Sequence, residues 1–131
     1  MGFGDFAVKS NLENLVAVPV RILGTGAANP TKQVGRGVTV TRVSAGLYRY
    51  TFKEHLGTFL GATYGFSQAA PAAGASNIIN VDHDSYTAAG KAVDVMVEDP
   101  GTEAAAPALA DLASTDKLFV VFWFQSGGSL V

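Results

Sequence analysis

The chain carries two histidines, His55 and His83, and no cysteine. Thiolate nucleophiles, disulfides and cysteine-bound zinc or iron–sulfur centres are therefore excluded. The densest group of proton-handling side chains is Asp82-His83-Asp84, followed by Ser85. A histidine between two carboxylates could hold a metal ion or relay a proton. On a strand, however, alternation puts Asp82 and Asp84 on one face and turns His83 away. In a turn the three could converge, yet they make an incomplete metal site. The spacing is not that of an EF-hand loop, so Asp82, Asp84 and Ser85 offer only a loose calcium site. The reading is a solvated loop and no metal. Glu98 and Asp99 adjoin Pro100-Gly101, the setting of a turn rather than of a general acid–base pair. No G-x-S-x-G elbow occurs. Gly24, Gly26, Gly35 and Gly37 are not followed by the Lys and Ser/Thr of a phosphate loop, and Gly24-Thr25-Gly26 lacks the third glycine of a dinucleotide fingerprint. The expectation is a protein that is not an enzyme, with no catalytic residues and no cofactor.

The elements that would have to position such groups are short and extended. Leu15 to Leu23 alternates Val16, Val18, Val20 and Ile22 against Leu15, Ala17, Pro19 and Arg21, a strand. Pro19 cannot donate to a ladder, which predicts an edge or a bulge there. Residues 24–37, with four glycines, read as a long loop. Val38 to Val43 and Leu47 to Lys53 read as a hairpin around Ser44-Ala45-Gly46. In it Tyr48, Tyr50 and Phe52 oppose Arg49, Thr51 and Lys53. That opposition removes the interleaved stacking platform a nucleic-acid binder needs, although Arg42, Arg49 and Lys53 are basic.

Thr58 to Ser67 is a further strand, with Gly61 and Gly65 suggesting a bulge or close approach. Asn77 to Val81 and Ala92 to Glu98 are two more, and Leu118 to Gln125 is the last. The alanine-rich stretch at 108–113 predicts either a helix of one or two turns or an ordered loop over the end of a sheet. Pro107 restricts any helix to starting there. The sum is an all-β chain: an antiparallel β-sandwich or jelly roll of about seven to eight strands, with at most one short helix near 108–113. Residues 1–14 form an N-terminal arm and 15–131 a single β-sandwich domain. The first residues, carrying Asp5 and Glu13, do not read as a secretory leader. No apolar run approaches 18 residues, so no membrane span is expected.

Charge and the last strand carry the surface argument. Hydrophobic residues make up 48% of the 131, charged residues 15%, against a usual charged share of about 25%. So sparse a charge suggests that another chain covers part of the surface. Residues 1–60 hold seven basic and three acidic side chains, and residues 61–131 two basic and eight acidic. This imbalance reads either as chance in interleaved strands or as a dipolar subunit with unlike neighbours. In LFVVFWFQ, Leu118, Val120, Phe122 and Phe124 alternate with Phe119, Val121, Trp123 and Gln125, so both faces are apolar. A sandwich strand normally keeps one wet face. Leaving two aromatics and a valine exposed forfeits several times the roughly 1.5–3 kcal/mol that burying one such side chain contributes. Either a loop or the arm covers that second face, or it is an oligomer interface made by Phe119, Val121 and Trp123. The interface reading is preferred.

The stretch VRILGTGAANPTKQVGRGVTVTRVSAGLYRYTF, Val20 to Phe52, and the closing LFVVFWFQSG resemble small structural proteins of tailed-phage virions, the capsid decoration or cement type. The likeness is one of style over most of the chain. It implies a β-sandwich or jelly-roll fold and assembly as a homo-trimer. It also implies the major capsid protein as partner, and a place on the capsid surface of a virion assembled in the host cytoplasm. No catalytic residues accompany it. On that reading Phe3 and Phe6 of the arm, with Lys32 and Arg36, are the capsid contacts. Neither nucleic acid nor membrane is a partner. The competing readings are a trimeric fibre-tip or receptor-binding domain, and a carbohydrate-binding module stacking sugars on Tyr64 or Tyr86.

Overall fold

A computed structural model describes residues 15–71, 76–101 and 106–126; the arm, with Phe3 and Phe6, lies outside the described residues. Among the described residues nine strands form: β1 Leu15–Leu23, β2 Thr31–Val34, β3 Val38–Ser44, β4 Leu47–Phe52, β5 Thr58–Ser67, β6 Ile78–Asp82, β7 Ala92–Asp99, β8 Ala108–Leu109 and β9 Lys117–Gln125. They build two antiparallel sheets. The first runs β2-β1-β9-β5 and the second β3-β4-β7-β6, with β8 paired to β7. The chain is therefore an all-β sandwich, as its turn spacing predicts.

Alternation decides what each strand buries. Val20 and Ile22 of β1 and Leu118, Val120, Phe122 and Phe124 of β9 are fully buried. They meet Tyr48, Tyr50 and Phe52 of β4 and Val93, Val95 and Val97 of β7, all within 2% of complete burial. Phe52 sits edge-on to Phe122 and Phe124 at 5.3 and 5.2 Å, and Tyr50 lies 5.0 Å from Phe122. Offset and edge contacts of this kind are the favoured aromatic geometry.

The irregularities fall where the residues require them. Pro19 pairs with Val121 on the β9 side, while β2 reaches only Arg21 to Leu23 of β1, so the proline stands on an open edge. A register shift between Phe59 and Gly61 makes β5 bulge, with Gly61 at φ +145°. The β3–β4 hairpin turns at Ala45-Gly46 and carries its own bulge between Arg42 and Ser44. Gly46 has φ +68°, and a Cβ there would stand 2.6 Å from both Ala110 N and Val97 O.

One element differs from expectation, and at another the structure decides between the two forms expected. Within the loop at 24–37, Thr31–Val34 forms the all-exposed strand β2. Near 108–113 no helix forms. Ala108 and Leu109 pair with Asp99 and Glu98, and an ordered loop follows over the end of the sandwich. The reason lies in the anchors. Leu112 is fully buried and its N–H donates to the Tyr48 hydroxyl at 2.9 Å. Asp111 accepts from Arg42 Nε and Nη2 at 2.8 and 3.0 Å and from Gly46 N–H at 3.0 Å. Alanine's helical preference, under about 1 kcal/mol per residue, is too small to offset them.

Candidate functional site

β9 lies at the centre of the first sheet, between β1 and β5. Its inward side chains are completely buried, so its outward row is what the sheet presents. Trp123 stands opposite Ala17 and Gly61, Val121 opposite Pro19 and Thr63, and Phe119 opposite Arg21 and Gly65. Apart from Arg21 beside Phe119 the neighbours are small, so they shade the β9 side chains only in part. Phe119 keeps 39% of its surface exposed, and Val121 and Trp123 are half-buried. The indole Nε1–H donates to Thr63 Oγ1 at 3.4 Å, a long bond. At the Trp123 end a shallow recess of about 420 Å³ is walled by Leu15, Leu60 and Gly61. The structure thus brings Phe119, Val121 and Trp123 together on one outward face. Leu15 and Leu60, which extend it, were legible as strand residues, but only the sheet order places them beside Trp123.

The basic candidates stand elsewhere. Lys32 pairs with Ile22 on β2, and its ammonium spans to the second sheet, donating to Val38 O at 2.6 Å. Arg36, in the β2–β3 turn, is exposed. It lines a recess of about 270 Å³ with Val18, Val38, Phe52 and Lys53. Lys53 completes a basic rim that hairpin alternation alone did not connect with Arg36.

The two histidines meet at one recess, which the spacing of 28 residues does not announce. His55 Nδ1 lies 2.8 Å from the Tyr86 hydroxyl, and the two rings stack at 5.7 Å and 20°. The same hydroxyl accepts from Leu56 N–H at 3.0 Å. Tyr86 also packs on Phe124 at 5.0 Å. Its faces are thus occupied, whereas Tyr64 is 51% exposed on the edge strand β5.

Asp82-His83-Asp84 forms a 3-10 turn over His83–Ser85. Asp82 Oδ1 accepts from Asp84 N–H at 3.1 Å, and Asp94 N–H donates to Ser85 Oγ at 2.9 Å. These are turn-forming bonds. His83, 75% exposed, touches only Asp84 among the carboxylates of the described residues, at 2.9 Å. Among the described residues, no three His, Asp or Glu side chains converge on one point.

No family model, curated protein or solved structure matches the chain.

Proposed function

We propose that the chain is a non-enzymatic structural protein of a virion that decorates and cements the capsid shell, bridging neighbouring major capsid subunits as a homo-trimer. The observation that carries this reading is the outward row of β9. Phe119, Val121 and Trp123 line a face that its neighbours, small apart from Arg21, leave partly uncovered. Contiguous exposed apolar surface of this kind marks an interaction site. Subunit burial of that face would recover the free energy that exposure forfeits. A cement protein acts by adding interface. Binding to the assembled shell alone stabilises it by mass action, and three joined copies add avidity. Exposed Arg36 and Lys53 offer a shell contact, joined by Phe3 and Phe6 of the arm. Lys32, exposed on β2, gives one of its three ammonium donors to Val38 O and keeps the others for the same contact.

The test is the absolute mass in solution by light scattering after size exclusion. A species near three times 13.5 kDa that dissociates in Trp123→Arg supports the interface. A trimer indifferent to Trp123→Arg refutes that role for the face. A wild-type monomer at every concentration refutes self-association. The shell half of the proposal is read by rebinding to capsids stripped of the protein, which must recover their resistance to disruption. Half-exposed Tyr64 favours a second reading, a carbohydrate-binding domain. Glycan binding lost in Tyr64→Ala, by a protein that leaves capsids unaltered, would establish it instead.

A further inference from the structure

We propose that copies of this chain associate front to back: the outer face of the β2-β1-β9-β5 sheet packs on the outer face of the β3-β4-β7-β6 sheet of the next copy. The inference rests on the reading that the β9 face is a contact between copies, and it names the surface that face meets.

Charge is sorted between the two sheets. The four strands of the first sheet contain Arg21, Lys32 and Lys117 and not one Asp or Glu. Lys32 points inward across the sandwich to Val38 O. Arg21 and Lys117 alternate outward with Phe119, so the outer face is apolar with two cations and no anion. Neither cation has a carboxylate partner among the described residues, and Arg21 Nε is buried without a hydrogen-bond acceptor. Two such faces brought together by a two-fold axis supply no anion to the cations of either copy. The face is therefore not self-complementary.

The second sheet carries the opposite balance. Its outward residues include Asp82, Asp94 and Glu98. Asp82 stands opposite Asp94, and Asp94 opposite Arg49. The Arg49 guanidinium is held by Asp94 at 2.8 and 3.1 Å, which leaves Asp82 and Glu98 as net charge. Arg42, the other cation of that sheet, is held by Asp111. Across β6, β7 and β8 one register row reads Ile78, Glu98, Leu109. Ile78 and Leu109 are each 44% exposed, so two apolar side chains flank a carboxylate. That is the chemical complement of Phe119 beside Arg21. Opposite potentials on two faces fix register and suppress the like-face pairing. A contact between two different faces is heterologous, and it closes into a ring when the rotation between copies permits. The two faces lie on opposite sides of the sandwich, so a face-on contact stacks copies in an open row, and it closes as a trimer only where each copy is turned by a third of a circle from the last.

The experiment uses charge reversal and mass measurement across a dilution series. One variant is Arg21→Glu with Lys117→Glu, the second Asp82→Lys with Glu98→Lys, and the third carries all four changes. Front-to-back packing predicts that each pair alone raises the dissociation concentration roughly tenfold or more. The four together restore assembly, because both faces have exchanged sign. Far-UV circular dichroism checks the fold. Lys117→Glu and Glu98→Lys as single changes, with their double, repeat the logic should a paired variant not fold.

If the first pair dissociates the oligomer and the second does not, copies meet through the β9 face but not front to back. The inference is then overturned while the interface reading stands. Loss of assembly in both pairs without recovery in the combined chain overturns it as well. A wild-type monomer throughout removes the interface reading itself, and this inference with it.

Discussion

Two tyrosines two residues apart on β4 make opposed demands on the core, and deleting each hydroxyl separates them. Tyr48 and Tyr50 are 1% and 0% exposed. The Tyr48 hydroxyl accepts from Leu112 N–H at 2.9 Å across 64 residues of sequence. The Tyr50 hydroxyl is buried with no partner among the described residues. An unsatisfied buried polar group costs about 1–3 kcal/mol, whereas a made bond contributes about 0.5–1.5 kcal/mol net. Tyr50→Phe removes an orphan oxygen and keeps the ring on Phe122 at 5.0 Å. It is expected to be neutral or to stabilise by about 1 kcal/mol, roughly 3–5 °C in midpoint for a chain of this length. Tyr48→Phe orphans the Leu112 amide instead and should destabilise by about 1–3 kcal/mol. Urea unfolding with a common slope for wild type and both variants reads the difference directly. Burial is also the first cause raising both hydroxyls above the ordinary tyrosine pKa. The folded state holds those protons more tightly, so their contribution is complete below about pH 10 and falls as pH rises beyond it. Tyr50→Phe should therefore flatten the alkaline loss of stability. A Tyr50→Phe protein less stable than wild type by more than about 1 kcal/mol would refute the orphan-hydroxyl argument.

Asp111 is held below the usual carboxylate range, first by its hydrogen bond to Arg42 and then by Gly46 N–H. Its stabilising contribution is present above about pH 4 and lost as pH falls through the lowered value. The melting-point gap between wild type and Asp111→Asn should narrow from pH 6 towards pH 2.5, and a gap independent of pH would refute the pairing. Gly46→Ala places a Cβ 2.6 Å from two backbone atoms at a positive φ. It should cost roughly 2 kcal/mol or more in urea unfolding, and an unchanged midpoint would count against the close approach. Lys32 Nζ and Asn29 Oδ1 occupy the outward groups of edge strand β3 at Val38 O and Arg42 N. Lys32→Ala with Asn29→Ala should open that edge and raise concentration-dependent light scattering, and unaltered scattering would sink the idea.

The sandwich was legible because most strands alternate cleanly. β1 and β5 fall at the residues their pattern marks, and Gly61 and Pro19 sit at a bulge and an open edge. What alternation could not show is everything set by partners distant in sequence. Thr31–Val34 has no apolar face, and only its pairing with Arg21 to Leu23 makes it a strand. Ala108–Leu109 is helical by composition and extended because β7 offers an edge there. The outward row of Phe119, Val121 and Trp123 was visible as two-sided apolarity. Its surroundings at Leu15 and Leu60 depend on which strands flank β9.

Charge makes the same point with a consequence for association. Along the sequence the first 60 residues are basic and the remainder acidic, which suggests a dipole between two ends. Folding does not preserve that division. Arg42 and Arg49, from the basic half, are drawn into the second sheet, where Asp111 and Asp94 from the acidic half neutralise them. Lys117, from the acidic half, joins Arg21 on the first sheet. The imbalance that survives pairing is therefore set by which strand lies in which sheet, and it runs across the sandwich from one outer face to the other. A subunit polarised through its thickness is suited to a neighbour presenting the opposite face, and poorly suited to a mirror pairing of like faces.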